Sequence, residues 1–167
     1  MVHSGTFQVQ RTADEVFDLL ANPERFAPLM PDFESVTMQD ATHFTLRTVI
    51  QVGAMSGHAN LAMELRDAVR PGSVGYSGDA IIAGSRLRLR LDFVLTPGES
   101  ATEIGWRGEL TLGGSLAFMA GGQVESISRQ NFERMAERLQ ESLRQEQVPS
   151  PEEAPGSPLP EALDFEI

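Results

Sequence analysis

Alternation of apolar and polar residues runs from Val36 to Leu112 and then gives way to one long stretch of helical period. No other feature constrains the fold as strongly. Its cleanest part sets Arg86, Arg88, Arg90 and Asp92 against Leu87, Leu89, Leu91, Phe93 and Leu95. A period of two describes a strand with one face buried and the other solvated. The same pattern recurs in Phe44, Leu46, Thr48, Ile50 and Val52, in Ala59, Leu61, Met63 and Leu65, in Val74, Tyr76, Ala80 and Ile82, and in Ile104, Trp106, Leu110 and Leu112. Turn residues separate these segments at Asp40-Ala41-Thr42, Arg70-Pro71-Gly72-Ser73 and Pro97-Gly98-Glu99-Ser100. On the solvated face, Arg88 and Arg90 are expected to pair across strands with Glu103 or Glu109.

Before the alternation begins, Phe7 and Val9 stand between Thr6, Gln8 and Gln10 as a short first strand. Thr12, three residues ahead of Glu15 and followed by Val16, Phe17, Leu19 and Leu20, is a capping-box helix start. Asn22-Pro23 opens a second short helix, which Pro28 and Pro31 end. After Gly113-Gly114-Ser115 the period returns to helical. From Gln123 to Glu146, Val124, Ile127, Met135, Leu139 and Leu143 share one face. That helix is roughly 36 Å long. Met119-Ala120-Gly121-Gly122 is poor helix-forming sequence, so the helix either starts late or hinges there.

This order predicts an α+β arrangement: a curled seven-stranded antiparallel sheet around a long C-terminal helix, with two short helices after the first strand. A sheet with one apolar face must cover it, and the long helix is the one large cover available. The inward residues are mostly Ala, Leu, Ile, Val, Phe and Met, with Trp106 and Tyr76 single examples of their types. Such a lining predicts an incompletely filled interior, in the ~300–1,000 Å³ range usual for ligand pockets. Its candidate apolar walls are Phe44, Ile50, Met63, Leu89, Leu91, Trp106, Ile127 and Met135. The glycine-bearing segments 53–57, 83–85 and 113–115 should meet at one end of the sheet, with Met55, Phe118 and Met119 as apolar lips. Ordinary turn chemistry explains those glycines equally well. Thr48, Tyr76 and Asn131 are the candidate polar groups, although a buried Tyr or Asn is often simply satisfied within the structure.

Catalytic arrangements find little support. His3, His43 and His58 lack metal-ligand spacing, no serine sits in a nucleophile elbow, and no phosphate-binding glycine fingerprint occurs. In the strand reading no inward position holds Asp, Glu, His or Arg, so a binding protein is expected rather than an enzyme. No cofactor and no metal are expected. The absence of lysine leaves the N-terminus as the one amine for Schiff-base chemistry.

The net charge of −11 is unevenly placed. Residues 145–167 hold six acids and no base, which leaves 18 acids against 13 arginines in the rest of the chain. Neither part offers the clustered positive charge that nucleic acid requires, so none is expected as a partner. Residues 1–146 read as one ligand-binding domain and 147–167 as a disordered acidic, Pro-rich tail. The tail's last residues, 159–167, suit a docking peptide, though a solubilising role accounts for them too. No cysteine, signal peptide or roughly 20-residue apolar span is apparent. The expected location is cytoplasmic, without an integral membrane segment, and peripheral membrane contact stays open.

The chain resembles the START-like (SRPBCC, helix-grip) superfamily and, within it, the G-subunit family of carbon monoxide dehydrogenase. The residues that carry the resemblance are Ala13-Asp14-Glu15-Val16-Phe17-Asp18-Leu19-Leu20, Asn22-Pro23-Glu24, Pro31 with Glu34, Val52-Gly53-Ala54-Met55-Ser56-Gly57, Gly84-Ser85 and Gly113-Gly114-Ser115-Leu116-Ala117. The likeness runs from about Phe7 to Leu143. It departs from the family pattern at Asp32, where a glycine is preferred, and at Gly121-Gly122, where the family tends to place an arginine. The resemblance implies an accessory or carrier protein that binds a lipid or quinone-like molecule and assists a carbon monoxide dehydrogenase or related molybdenum hydroxylase. Two alternatives remain at this point: a polyketide cyclase/dehydratase-like enzyme on the same fold, and a protein-interaction adaptor working through its tail.

Overall fold

The computed structural model describes residues 1–52, 54–120 and 122–145. The acidic tail, 147–167, and Glu146 at the end of the expected helix lie outside the described residues. The elements in chain order are β1 (Val2–Val9), α1 (Ala13–Leu20), α2 (Pro23–Phe26) running into a 3-10 turn (Ala27–Leu29), β2 (Phe33–Met38), β3 (His43–Val52), β4 (Met55–Val69), β5 (Ser73–Ile82), β6 (Ser85–Pro97), β7 (Thr102–Leu112), α3 (Gly114–Ala120) and α4 (Gln123–Gln145).

All seven strands form one antiparallel sheet in the order β1-β7-β6-β5-β4-β3-β2. Strands β2 to β7 follow one another as hairpins, and β1 pairs beside β7. The chain between β1 and β2 therefore passes from one edge of the sheet to the other. That passage contains α1 and α2, which is why the two short helices close one end of the concave face. Register shifts between Phe33 and Ser35 and between Leu65 and Asp67 mark irregularities that add local twist and help the sheet curl.

The capping box forms as its residues dictate. The Glu15 amide donates to Thr12 Oγ1 at 3.2 Å, and the Thr12 amide donates to Glu15 Oε1 at 3.1 Å. The backbone donor at Thr12 holds the Glu15 carboxyl below its usual range. Thr12→Ala removes one acceptor of this reciprocal pair and should lower stability by about 1 kcal/mol, read by urea denaturation. Arg70, in the turn after β4, donates to Asp14 at 2.9 Å and also to Asp18, and its guanidinium lies 4.6 Å from the Phe17 ring centre. Together these contacts tie α1 to the β4–β5 turn.

Three sequence expectations shift. The first strand is longer than the alternation around Phe7 implies: it begins at Val2, and His3 and Gly5 share the less exposed face with Phe7 and Val9. The buried stripe of α4 runs through Val124, Ser128, Phe132, Met135, Ala136, Leu139 and Leu143, which leaves Ile127 only half-buried at its flank. The charged ladder pairs differently as well. Arg90 stands opposite Glu109 in register, yet it bonds Asp92 of its own strand at 3.0 Å. Arg88 meets Asp79 of β5 at 3.4 Å, and Glu109 is contacted by Arg107 at 3.8 Å. Side-chain reach along and between strands outweighs the directly opposed geometry.

The poor helix-forming stretch 119–122 coincides with a change of element, because α3 ends at Ala120 and α4 begins at Gln123. Ser85, buried at the start of β6, accepts the Leu116 amide at 2.9 Å and fixes α3 to the sheet. Among the described residues no helix is long and apolar enough to cross a membrane.

Candidate ligand-binding cavity

Large residues are distributed unevenly along the concave face, and a cavity results. At the end closed by α1 and α2, Phe26 stacks on Tyr76 at 4.7 Å between ring centres and meets Phe93 edge-on at 5.6 Å. Phe44 meets Tyr76 edge-on at 6.0 Å. This aromatic cluster fills that end of the interior. At the opposite end the inward strand residues are aliphatic: Leu46 and Ile50 of β3, Leu61 of β4, Ile82 of β5, Leu87 and Leu89 of β6, and Leu110 and Leu112 of β7. The large aromatic available there is Phe132 of α4, and it is drawn toward Gly108 of β7. A Cβ at Gly108 would overlap the Phe132 ring. The helix can therefore lie close on β1 and β7, while the space toward β3 and β4 stays unfilled.

The cavity amounts to about 350 Å³. Val124, Ile127, Ser128, Asn131, Phe132 and Met135 line it from α4, Leu116 from α3, and Met30, Pro31 and Asp32 from the segment before β2. This volume lies at the small end of the range for small-molecule sites. Burial of ~300 Å² of apolar ligand surface would contribute about 7–8 kcal/mol before association costs, which allows modest affinity.

Polar groups occupy particular places on this wall. Thr48 Oγ1 lies 3.1 Å from the Pro31 carbonyl and 2.9 Å from that of Asp32, so its hydroxyl ties β3 to the preceding segment. Ser128 Oγ donates to the Glu125 carbonyl at 2.9 Å and lies 3.1 Å from His3 Nε2. The His3 ring is 5.9 Å from that of Phe132. Arg134 reaches Asp32 at 3.4 and 3.5 Å and Asn131 Oδ1 at 3.5 Å, while Arg138 donates to the Met30 carbonyl at 3.1 Å. Among the described residues no group of three His, Cys, Asp or Glu is arranged to hold a metal ion.

The candidate residues divide accordingly. Ile50, Leu89, Ile127, Asn131 and Met135 line the cavity, as does Thr48. Phe44, Met63, Tyr76, Leu91 and Trp106 are buried in the core and do not line it. Tyr76 donates its hydroxyl to the Leu20 carbonyl at 2.6 Å, and burial pushes its phenol well above the usual range, so it stays a neutral donor. Met63 packs on Gly78 across the β4–β5 pair, and Trp106 lies over Gly5. Met55 is 41% exposed and Phe118 93% exposed, and neither lines the cavity. The Met119 side chain lies outside the described residues.

The residues that strand parity does not reveal are Asp32, Ser128, Phe132 and Arg134. None of them lies in a strand, and the two ionisable ones, Asp32 and Arg134, stand about half-exposed at the rim. Asp32 precedes β2 and obeys no strand alternation, and Arg134 reaches the rim from the helix flank on a long side chain. His3 could have been found by extending the parity of Phe7 and Val9 back along β1.

The model of the CoxG family, the G component of carbon monoxide dehydrogenase, matches residues 5–144. The chain belongs to that family. No curated protein matches this CoxG family member in sequence. Its fold is that of a conserved protein from Geobacillus kaustophilus, with a TM-score of 0.75 at 14% identity over 87% of this chain and 96% of that one. It is also similar to the ZhuI aromatase/cyclase from Streptomyces sp. R1128, with a TM-score of 0.65 at 15% identity over 89% and 96% of the two chains. A START superfamily protein from Mycobacterium smegmatis gives a TM-score of 0.61 at 12% identity over 86% and 97%. At these identities the structural likeness establishes the START-like, helix-grip fold. Asp32 has φ 58°, a left-handed conformation that glycine adopts freely and that Asp and Asn tolerate better than other side chains.

Proposed function

We propose that the cavity binds a hydrophobic small molecule, lipid or quinone-like, and that the chain acts as an accessory or carrier protein for a carbon monoxide dehydrogenase or related molybdenum hydroxylase. The observation that carries this reading is the aliphatic cavity of about 350 Å³ between the sheet and α4. Family membership supports the client, and the modest affinity that such burial allows suits a cargo that must be released.

A cyclase-type enzyme is the competing reading, favoured by the similarity in fold to an aromatase/cyclase. Such a catalyst needs an acid or base within reach of the reacting atoms inside the pocket. The ionisable residues on this wall, Asp32 and Arg134, face each other at its rim and are 47% and 42% exposed. That placement supports binding over proton transfer.

The test is native mass spectrometry of the purified protein, with organic extraction of whatever it carries. The wild-type chain is expected to release a lipid or quinone-like molecule. Ile127→Trp, which fills the cavity from its half-buried flank, should lose that molecule while Tm stays within about 4 °C of the wild-type value. Met63→Trp would not serve, because Met63 already abuts Gly78 in the core. A wild-type protein that is empty and also takes up no quinone, fatty acid or Nile red would overturn the reading.

A further inference from the structure

We propose that Asp32 and Arg134 make this site selective for an uncharged ligand whose head carries a hydrogen-bond acceptor, such as a ketone or ester carbonyl, over a carboxylate or phosphate of equal length. This rests on the proposed function, since it specifies the head of the molecule that the cavity would hold.

Several observations converge on this class. The strand wall is mostly aliphatic, whereas Asp32, Asn131 and Arg134 meet where α4 faces the segment before β2. A ligand that uses the whole site is therefore amphipathic, with its head at these residues. Thr48 cannot supply that head with a donor, because its hydroxyl is engaged by the Pro31 and Asp32 carbonyls. Arg134 can. Its contacts to Asp32 and Asn131 are 3.4–3.5 Å long, beyond the 2.7–3.2 Å usual for such bonds. The guanidinium is thus held loosely and keeps donor capacity for an arriving acceptor.

Charge decides which acceptor. The Asp32 carboxylate faces the same guanidinium that a ligand would meet, so the pair presents little net charge. An anionic head would gain the attraction of Arg134 and meet the repulsion of Asp32, while giving up hydration on entering the site. A carbonyl takes the N–H bonds without that loss. The backbone supports the arrangement: Asp32 occupies a left-handed position at φ 58°, and Arg138 anchors the neighbouring Met30 carbonyl at 3.1 Å. The carboxylate is held against α4 from a segment fixed on both sides.

The experiment is displacement of Nile red, an uncharged dye, by 2-dodecanone and by dodecanoate at mildly alkaline pH and low salt. Asp32→Asn is the informative variant, because Asn accepts the left-handed backbone as Asp does. Wild-type protein is expected to bind the ketone about tenfold more tightly than the carboxylate. In Asp32→Asn the uncompensated Arg134 should reduce that preference about fivefold, and added salt should restore part of it. Arg134→Gln should weaken the ketone about fivefold. Failure of the wild-type protein to take up Nile red or either competitor overturns both this inference and the proposed function. Uptake of dye with equal affinity for the two heads, or with a preference that Asp32→Asn leaves unmoved, overturns the inference alone.

Discussion

Truncating Tyr76 to alanine should destabilise the protein by about 5 kcal/mol, a large share of the 5–15 kcal/mol typical of a domain. The side chain is fully buried, stacked on Phe26 and met edge-on by Phe44. Its removal leaves a void among aromatic rings that cannot collapse freely. It also orphans the Leu20 carbonyl at the end of α1, which now accepts the phenol at 2.6 Å. Tyr76→Phe separates the two losses: the ring remains, the donor goes, and about 1–2 kcal/mol is expected. Urea denaturation of both variants reads the difference. The functional content lies in the comparison with ligand uptake. Tyr76 belongs to the filled end of the interior, so Tyr76→Phe should bind Nile red as the wild type does. A variant of normal stability that has lost dye uptake would show that Tyr76 meets the ligand after all.

Tyr76 also illustrates what could be read from the residues beforehand. Its inward orientation follows from alternation with Ser77 and Gly75, and strand parity succeeds here because burial on one face and a period of two coincide. The same logic places Ile50, Leu89 and Leu110 inward, while the helical period and the glycine-bearing stretch 119–122 locate the start of α4. Which end of the interior a residue serves is a different question. It depends on Phe26, which reaches the sheet from a four-residue helix, and on the Leu20 carbonyl, both far from Tyr76 in sequence. Parity cannot separate core from cavity, so Phe44, Met63, Tyr76, Leu91 and Trp106 looked equivalent to Ile50 and Leu89. Ser128 and Arg134 carry no such signal, because polarity normally marks a solvent-facing helix position. Here Ser128 is buried by satisfying its hydroxyl within the helix at the Glu125 carbonyl. Asp32 lies outside every strand and helix period, and its place in the site depends on its backbone angle and the arginine opposite it.

Gly108 carries the second large effect, and its sign opposes what propensity alone suggests. Glycine weakens a strand interior, so replacement by valine would by that measure stabilise β7 by up to ~1 kcal/mol. The structure points the other way. A Cβ at Gly108 would overlap the ring of Phe132, and that ring has little room to retreat, packed near Trp106 at 6.2 Å and His3 at 5.9 Å. Gly108→Val should therefore cost about 3 kcal/mol, lowering Tm by roughly 10 °C. Pairing it with Phe132→Leu tests the cause, since the double variant should recover much of the loss if the clash is with that ring. The consequence reaches the cavity. Phe132 over Gly108 sets how closely α4 lies on β1 and β7, and that tilt leaves the space beside β3 and β4 open. Pushing the helix off β7 redistributes the volume, so Gly108→Val should change Nile red affinity even though Gly108 is not on the cavity wall. A Gly108→Val protein with unchanged Tm would mean that α4 can move without cost, and the cavity's size would then need a cause other than this contact.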